Sequence, residues 1–587
     1  MTVYNRGNVT GDVEGSRVGL REQIETARGI RPPDLVLTNC RVVNVFSGEI
    51  YPADVAIEGH TIVGLGKYEG PRTLDLGGCF LLPGLIDGHV HIESSMVMIP
   101  EYARAVVPRG TTTVIVDPHE VANVLGAEGV KFMLASSKNT PLGVFVMVPS
   151  CVPASPFETP GARLEAYDLI SLLEKRRAFG IGEVMNYPGV LECDTAVLDK
   201  IRLAHADDLL VDGHAPGLSG RDLCAYVAAG IDSDHESVNP EEAREKIRLG
   251  MWLMVREGST AKNVKDLLPV INELNPQRCF FVTDDRDPSD LLIEGHMDHI
   301  LKLAVAQRLN PIKAIQMATI NPAQYFRLRD LGAVAPRFVA DLIAVDDLVN
   351  FSVRYVIKRG RLVAQDGQPL FPIPQVDASV TTNSVRIADL SLEKLRLPGR
   401  PGTCRVIGLI PNQATTLALE EPAPFVNGEL VADPARDILK VAVVERHHAT
   451  GNVGVALVKG FGLRAGAFAS TIAHDAHNIV AVGVDDEDIL LAIRKVVEMQ
   501  GGLAVACRGD ILGALPLPIA GLMSSLPIGE VQSCLARIED ELSKLGCRVA
   551  HPFMSLAFIA LSVLPELKIT DRGLVDVKQF RFVPIQD

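Results

Sequence analysis

Several things are missing from this sequence, and each absence removes a class of function. No two of its 10 cysteines are spaced CxxC. Cys40, Cys79, Cys151, Cys193, Cys224, Cys279, Cys404, Cys507, Cys534 and Cys547 are scattered, mostly in apolar runs. Buried free thiols and a reducing cytoplasm are therefore expected. The opening MTVYNRGNVTGDVEG has no apolar signal core, and no uninterrupted apolar run is long enough to span a bilayer, so a soluble protein without a membrane partner is expected. Positive charge is in deficit: 57 Lys and Arg against 72 Asp and Glu give a net charge of −15. A nucleic-acid backbone needs a clustered positive surface and is not the expected partner, although a nucleobase as a small substrate is compatible. There is no internal repeat and no low-complexity tract.

What is present is a long, core-rich chain. Its 587 residues, 47% hydrophobic and 22% charged, suit a globular protein of two to four domains. Residues 1–33 are polar and then helical (SRVGLREQIETARG) up to Pro32-Pro33. Short alternating segments with Gly or Pro at the turns occupy residues 34–84, and a matching set occupies residues 335–372. This pattern predicts strands and a small β-sandwich-like domain built from both flanks of a catalytic unit. The extended, Pro-containing linker DGQPLFPIPQVD leads to a further domain over residues 380–587. ILKVAVVERH, GNVGVALVKG, HNIVAVGV and GGLAVACRG read as strands there. DEDILLAIRKVVEMQ and IGEVQSCLARIEDELSKLG have apolar residues at helical spacing, so the domain is α+β.

Between the flanks, residues 85–334 alternate short apolar runs with amphipathic helical stretches such as GAEGVKFMLASSKN, PEEAREKIRLG and VKDLLPVINEL. Eight strands alternating with helices over this length predict an α/β fold, a (β/α)8 TIM barrel. An open doubly wound sheet fits less well, because no glycine-rich phosphate loop follows the first strand.

The first barrel strand runs LLPGLIDGHVHIESS. Residues i and i+2 of a strand share a face, so His89 and His91 project together, as two imidazole ligands of one metal would. Ligand-type residues end other strands too. Asp117, His119 and Glu120 end the second, Glu183 lies in the fourth, Asp212 and His214 end the fifth, Asp234 and His235 the sixth, and Asp284 and Asp285 the eighth. Catalytic groups of barrels sit at these strand ends. Packing does not account for so many, since a buried imidazole or carboxylate is costly unless paired or metal-bound.

The set PGLIDGHVH, a strand-four acid, single histidines on strands five and six and a strand-eight Asp resembles the amidohydrolase superfamily. LIDGHVHIESSM, DPHEVANVLG, GEVMNYPGV, DGHAPGLSG, SDHES and FVTDDR resemble, more closely, the bacterial adenine deaminase family. So do VERHHATGNVGVALVKGFGL, GAFASTIAHDAHNIVAVG and LPLPIAGLMS past residue 400. The resemblance runs from about residue 30 to the end. It implies that His89, His91 and Asp284 hold one metal and His214 and His235 a second. Glu183 would bridge them in the place that a carboxylated lysine takes in many relatives. It also implies that hydroxide activated by two divalent ions (Mn or Fe, with Zn possible) attacks C6 of adenine, giving hypoxanthine and ammonia in purine salvage. Asp284 would move the proton, while Glu120 and His119 would bind purine nitrogens or protonate the ring. Deaminases with a cysteine-ligated zinc carry P-C-x-x-C, which this chain lacks.

Other readings stand beside these. An N-acetylglucosamine-6-phosphate deacetylase-like amidohydrolase would need a phosphate site, for which Arg221 is the nearby candidate. A metal-binding barrel without turnover would be expected to lose ligands, and this chain keeps the set. Asp117 is either a functional acid or a cap of the following helix. Asp285 is expected to pair with Arg286 or Arg308. His205 and His60 are expected to be structural, and His296 and His299 to line the site mouth or to be solvated. His447, His448, His474, Asp475 and His477 either close over the pocket, meet a second subunit or satisfy backbone groups. A homodimer is the default assembly.

Overall fold

The computed structural model of the chain describes residues 19–586 apart from Arg176 and Asn412. Residues 1–18, part of the expected N-terminal helical extension, lie outside the described residues. The rest of that extension forms a short helix, Leu20–Ala27.

Eight parallel strands carry the site: β1 (Leu85–His91), β2 (Thr111–Val116), β3 (Gly143–Val148), β4 (Ala178–Val184), β5 (Leu210–Gly213), β6 (Ser233–Asp234), β7 (Trp252–Arg256) and β8 (Cys279–Val282). Adjacent parallel strands need crossovers, which the intervening helices supply. Strands β1 to β5 pair in order, as do β6 to β8. Asp232 N donates to Val211 O at 2.9 Å across the junction of β5 and β6. After β8, Asp284 and Asp285 pair with Val90 and His91 of β1, so the ring closes as a (β/α)8 barrel. VKDLLPVINEL, expected to be one helix, is α-helical only over Val264–Leu267 and then forms a 3-10 turn, Leu268–Val270. Pro269 has no N–H to continue the ladder.

The barrel is filled rather than hollow. Ile86, Ile115, Phe145, Met147, Met254 and Phe280 interdigitate in its floor. Gly88, one residue before His89, is required there: a Cβ would lie 2.4 Å from the Phe280 ring. The floor leaves the upper rim to polar side chains.

The flanks of the barrel segment share one sheet. Phe80–Pro83 pairs in parallel with Arg41–Val43 and antiparallel with Leu342–Val345, which continues into Val353–Lys358 and Arg361–Gln365. A second, four-stranded sheet packs beside it. The last 200 or so residues build an eight-stranded mixed sheet from Thr403–Leu409 to Asp510–Pro516. Helix Asp486–Glu498 buries Ile489, Ile493 and Val496 against one face of it. Their spacing is that of one helix face, and Asp486, Glu487 and Asp488 sit in its first turn, where negative charge is favoured. This unit rests on the upper rim of the barrel. Ser524 N donates to Met96 O at 2.8 Å, and the Ser155 and Ser562 hydroxyls are 2.6 Å apart. All ten cysteines are free thiols, six of them buried. Among the described residues, no helix is long and apolar enough to cross a membrane.

Candidate metal centre

Glu183, near the end of β4, is the hub of the rim. Its Oε1 lies 3.1 Å from His91 Nε2 and 3.6 Å from His89 Nε2. Its Oε2 lies 2.6 Å from His214 Nδ1 and 3.2 Å from His235 Nε2. Asp284 Oδ1 is 3.1 Å from His91 Nε2. The six residues come from five strand ends and are all buried. Local chain geometry explains the convergence. Asp284 has a left-handed φ of 59°, which turns the chain after β8 inward. Asp117 Oδ2 accepts the Glu183 N–H at 2.9 Å and can do so because residue 182 is glycine, where a Cβ would meet that oxygen at 2.0 Å. Asp117 is thus no helix cap. Pro118 occupies the cap position of the next helix, and the carboxylate instead fixes the backbone of β4.

The residues fit divalent metal ions. His91 Nδ1 donates to the Asp117 carbonyl at 2.9 Å, which turns Nε2 towards two carboxylate oxygens, the atom that would bind a cation there. Glu183 Oε1, His214 Nε2 and His235 Nδ1 are buried without a hydrogen-bond partner. Of these, Glu183 Oε1 faces ring nitrogens of His91, His119 and His89 at 3.1, 3.4 and 3.6 Å, and imidazoles converging on a carboxylate are what such ligands offer a cation. The ligand atoms of His89, His91 and Asp284 lie within 4.8 Å of one another, as do those of His89, Glu183 and His235, and of His214, His235 and Glu236.

The electrostatics agree. Burial would raise Glu183, but His235 and the hydrogen bonds of His214 and His91 hold it well below the usual carboxylate range. Asp284 is likewise held low against burial by His91 and Arg256. Arg256, at the end of β7, is a residue that the strand-end pattern does not single out. Its Nη1 bridges Asp284 Oδ2 at 2.8 Å and Glu236 Oε1. An arginine is no metal ligand, so the pattern of ligand types passes over it, and Glu236 is masked by the neighbouring His235.

His119 and Glu120 open the helix His119–Leu125 rather than ending β2. His119 Nδ1 is 3.4 Å from Glu183 Oε1, and its Nε2 is 3.2 Å from Glu120 Oε1. Glu120 reaches from this cluster towards the C-terminal domain and meets His474 and His477. Asp285 does not pair with Arg286 or Arg308. Its Oδ1 accepts from Ser94 Oγ at 2.5 Å, while Arg286 goes to Glu294. Asp212 is bound by Tyr325 and Ser233 hydroxyls, and Asp234 by Lys246. His296 is neither at the mouth nor solvated: it is fully buried between Tyr102 and Thr111 hydroxyls. His205 and His60 bond backbone carbonyls. His447 and His448 do the same, to Ala476 and Pro160. Arg221 is exposed on helix Gly220–Ala228 and does not line the cavity.

The cavity above the centre is roofed by the C-terminal domain. Ala414, His474, Asp475, Phe558, Leu561 and Leu564 face Glu183, Asp284 and Asp285 across it. Phe558 stacks on His474 with ring centroids 4.6 Å apart.

Comparison with known proteins agrees with this division. Residues 80–363 match the amidohydrolase family, and residues 413–581 match the adenine deaminase C-terminal domain. Adenine deaminase 2 of Carboxydothermus hydrogenoformans is 50% identical over 567 residues, 96% of this chain and 99% of that one. Adenine deaminase of Desulfatibacillum aliphaticivorans is 49% identical over 566 residues, again 96% and 99%. Among solved structures, dihydropyrimidinase from Brevibacillus agri covers 58% of this chain and 96% of its own at 14% identity, with a TM-score of 0.46. With matched segments on both the barrel and its roof, and relatives of near-identical extent, this chain belongs to the adenine deaminase family of amidohydrolases.

Proposed function

We infer that the chain hydrolyses adenine to hypoxanthine and ammonia at the barrel rim. The observation that carries this reading is the convergence of four buried imidazoles on Glu183, with Asp284 beside them, beneath a roof supplied by the C-terminal domain. His89, His91 and Asp284 would hold one divalent ion, His214 and His235 a second, and Glu183 would bridge them. When bound, such ions polarise a water molecule and bring its pKa down to roughly 7. Mn or Fe is the preferred pair in this reading, with Zn compatible with the same donor set.

The chain's own groups handle the protons. The attacking water forms the new C6–O bond while the adjacent ring nitrogen takes up a proton, and the C6–N bond to the exocyclic amine then breaks. Of the water's two protons, one ends on that ring nitrogen and one on the amine. Asp284 Oδ1 takes the proton released by the water and returns it to the departing amine, so that ammonia leaves neutral. Arg256 holds the other oxygen, Oδ2, at 2.8 Å, which keeps Oδ1 turned to the centre. His119, between Glu183 and Glu120, is placed to hydrogen-bond or protonate a ring nitrogen, and Glu120 orients it. Free thiols throughout the chain support a reducing, cytoplasmic compartment, and a homodimer is the proposed assembly.

Ammonia release should be measured on protein stripped of metal and reloaded separately with Mn, Fe and Zn, with adenosine alongside. Activity on adenine restored by about two equivalents of metal is the expected result. Inert protein carrying both ions would overturn the substrate assignment.

A further inference from the structure

Asp475 lies on the loop between strands Ala467–Ser470 and Ile479–Gly483 of the C-terminal sheet. It is 1% exposed and lines the cavity above the metal centre. Neither Oδ1 nor Oδ2 has a hydrogen-bond partner. Its nearest cationic atoms are His119 Nε2 at 3.7 Å and His474 Nδ1 at 3.9 Å, both towards Oδ1 and both too far for a hydrogen bond.

Each of the other carboxylates facing this cavity has at least one oxygen engaged. Glu183 is taken by histidines, Asp284 by His91 and Arg256, Glu236 by Arg256, Asp285 by Ser94, and Glu120 by His474 and His477. Among the described residues lining the cavity, Asp475 is the carboxylate with both oxygens unpartnered. A buried carboxylate without a donor is costly, and such a group aimed into a site is explained when a ligand brings the donor.

The surroundings narrow the ligand. Phe558, Leu561, Leu564 and Met185 give the cavity apolar walls, which suit a flat heterocycle. The exocyclic amine must face the metal centre, where its C–N bond breaks, so the donor left for Asp475 is a ring N–H. A free purine base has one on its five-membered ring, and a nucleoside has a glycosidic bond in its place. The geometry points to Asp475 as the residue that accepts the azole N–H of the free base and so selects the base over its nucleoside. This rests on the adenine reading above and names the group that sets its specificity.

The test uses full-length, metal-reloaded wild type, Asp475→Asn and Asp475→Ala. Adenine is compared with 9-methyladenine, which has a methyl group where the azole hydrogen would be. Ammonia release gives kcat/KM, and calorimetry gives equilibrium binding. In both variants adenine binding and kcat/KM are expected to fall about 10- to 100-fold, the range of one charge-assisted hydrogen bond. The values for 9-methyladenine are expected to change little, so the wild-type preference shrinks by that factor. Metal content is expected to hold and the thermal midpoint to hold or rise, since the carboxylate removed is buried without a donor.

Equal losses on both compounds would overturn the inference and make Asp475 a support for His119. Unchanged adenine binding, or a large drop in thermal midpoint, would also overturn it. A wild type that releases no ammonia from adenine overturns the adenine reading itself. An active wild type whose preference survives both substitutions overturns this inference alone.

Discussion

Glu120 Oε1 accepts a hydrogen bond from His474 Nδ1 at 2.6 Å, across 354 residues of sequence. The bond joins the first turn of a barrel helix to a loop of the C-terminal sheet. His477 Nε2 meets the second oxygen, Oε2, of the same carboxylate. His477 Nδ1 takes the Ala473 N–H at 3.2 Å, so its proton must sit on Nε2, facing Glu120. One barrel carboxylate thus clamps two imidazoles of the roof, and the roof helps to enclose the candidate metal centre.

Glu120→Gln should therefore weaken the closure and the chemistry together. Removing one partner of a buried charged set costs about 3–5 kcal/mol. Loss of an orienting group beside His119 should lower kcat/KM by about 100-fold or more. A lower thermal midpoint with intact metal content is the expected signature. Full activity in the variant would show that the clamp serves neither role.

The clamp also predicts a pH dependence. Burial alone would lower the His474 pKa, but Glu120, through charge and hydrogen bond, raises it to about 9. The unfolded value is near 6.5. Because the folded pKa is the higher one, the stabilisation is complete below about pH 6.5 and fades as pH rises through about 9. The difference in thermal midpoint between wild type and His474→Gln should accordingly narrow from pH 7 to pH 10. A difference constant across that range would assign His474 a neutral packing role.

The barrel was legible because its signal is local. Alternating apolar runs and helices give the strands, and residues such as His89 and His91 stand at strand ends where ligands project. The clamp was not legible in that way. Glu120 and His474 are brought together by domain docking, and no periodicity encodes a contact across 354 residues. Nor could spacing tell Asp284 from Asp285. Only the turn at Asp284 (φ 59°) separates them, sending one to His91 and the other to Ser94. Arg256 carries no such local signal: an arginine ending a strand has many bland explanations, and its role depends on Glu236 and Asp284 lying on either side.

That separation can be tested directly. Asp284→Asn should lose bound metal and lower kcat by about 1,000-fold or more, as expected when ligand and proton carrier are removed together. Asp285→Asn should keep about two ions per chain, since its carboxylate faces Ser94. Metal analysis of the two purified variants checks this, and equal metal loss in both would show that the two aspartates share the ligand role.

Lys568 gives the last prediction. It is fully buried, and its Nζ donates to Ala414 O at 2.8 Å and Phe558 O at 2.9 Å, both backbone carbonyls of residues that line the roof. Burial pushes its pKa down to about 7. Lys568→Met removes a costly buried charge but leaves two carbonyls without their donor, so the net change in stability should be within about 2 kcal/mol. The roof should loosen, raising KM for adenine several-fold while kcat, set by the barrel residues, changes little. The unfolded pKa is near 10.4, so the penalty for the charge is complete below about pH 7 and is relieved as pH rises towards 10.4. Wild type should therefore gain stability relative to Lys568→Met across that interval. Kinetics at neutral pH and thermal melts in a pH series check both parts, and a fall in kcat with KM unchanged would place Lys568 in the chemistry rather than behind the roof.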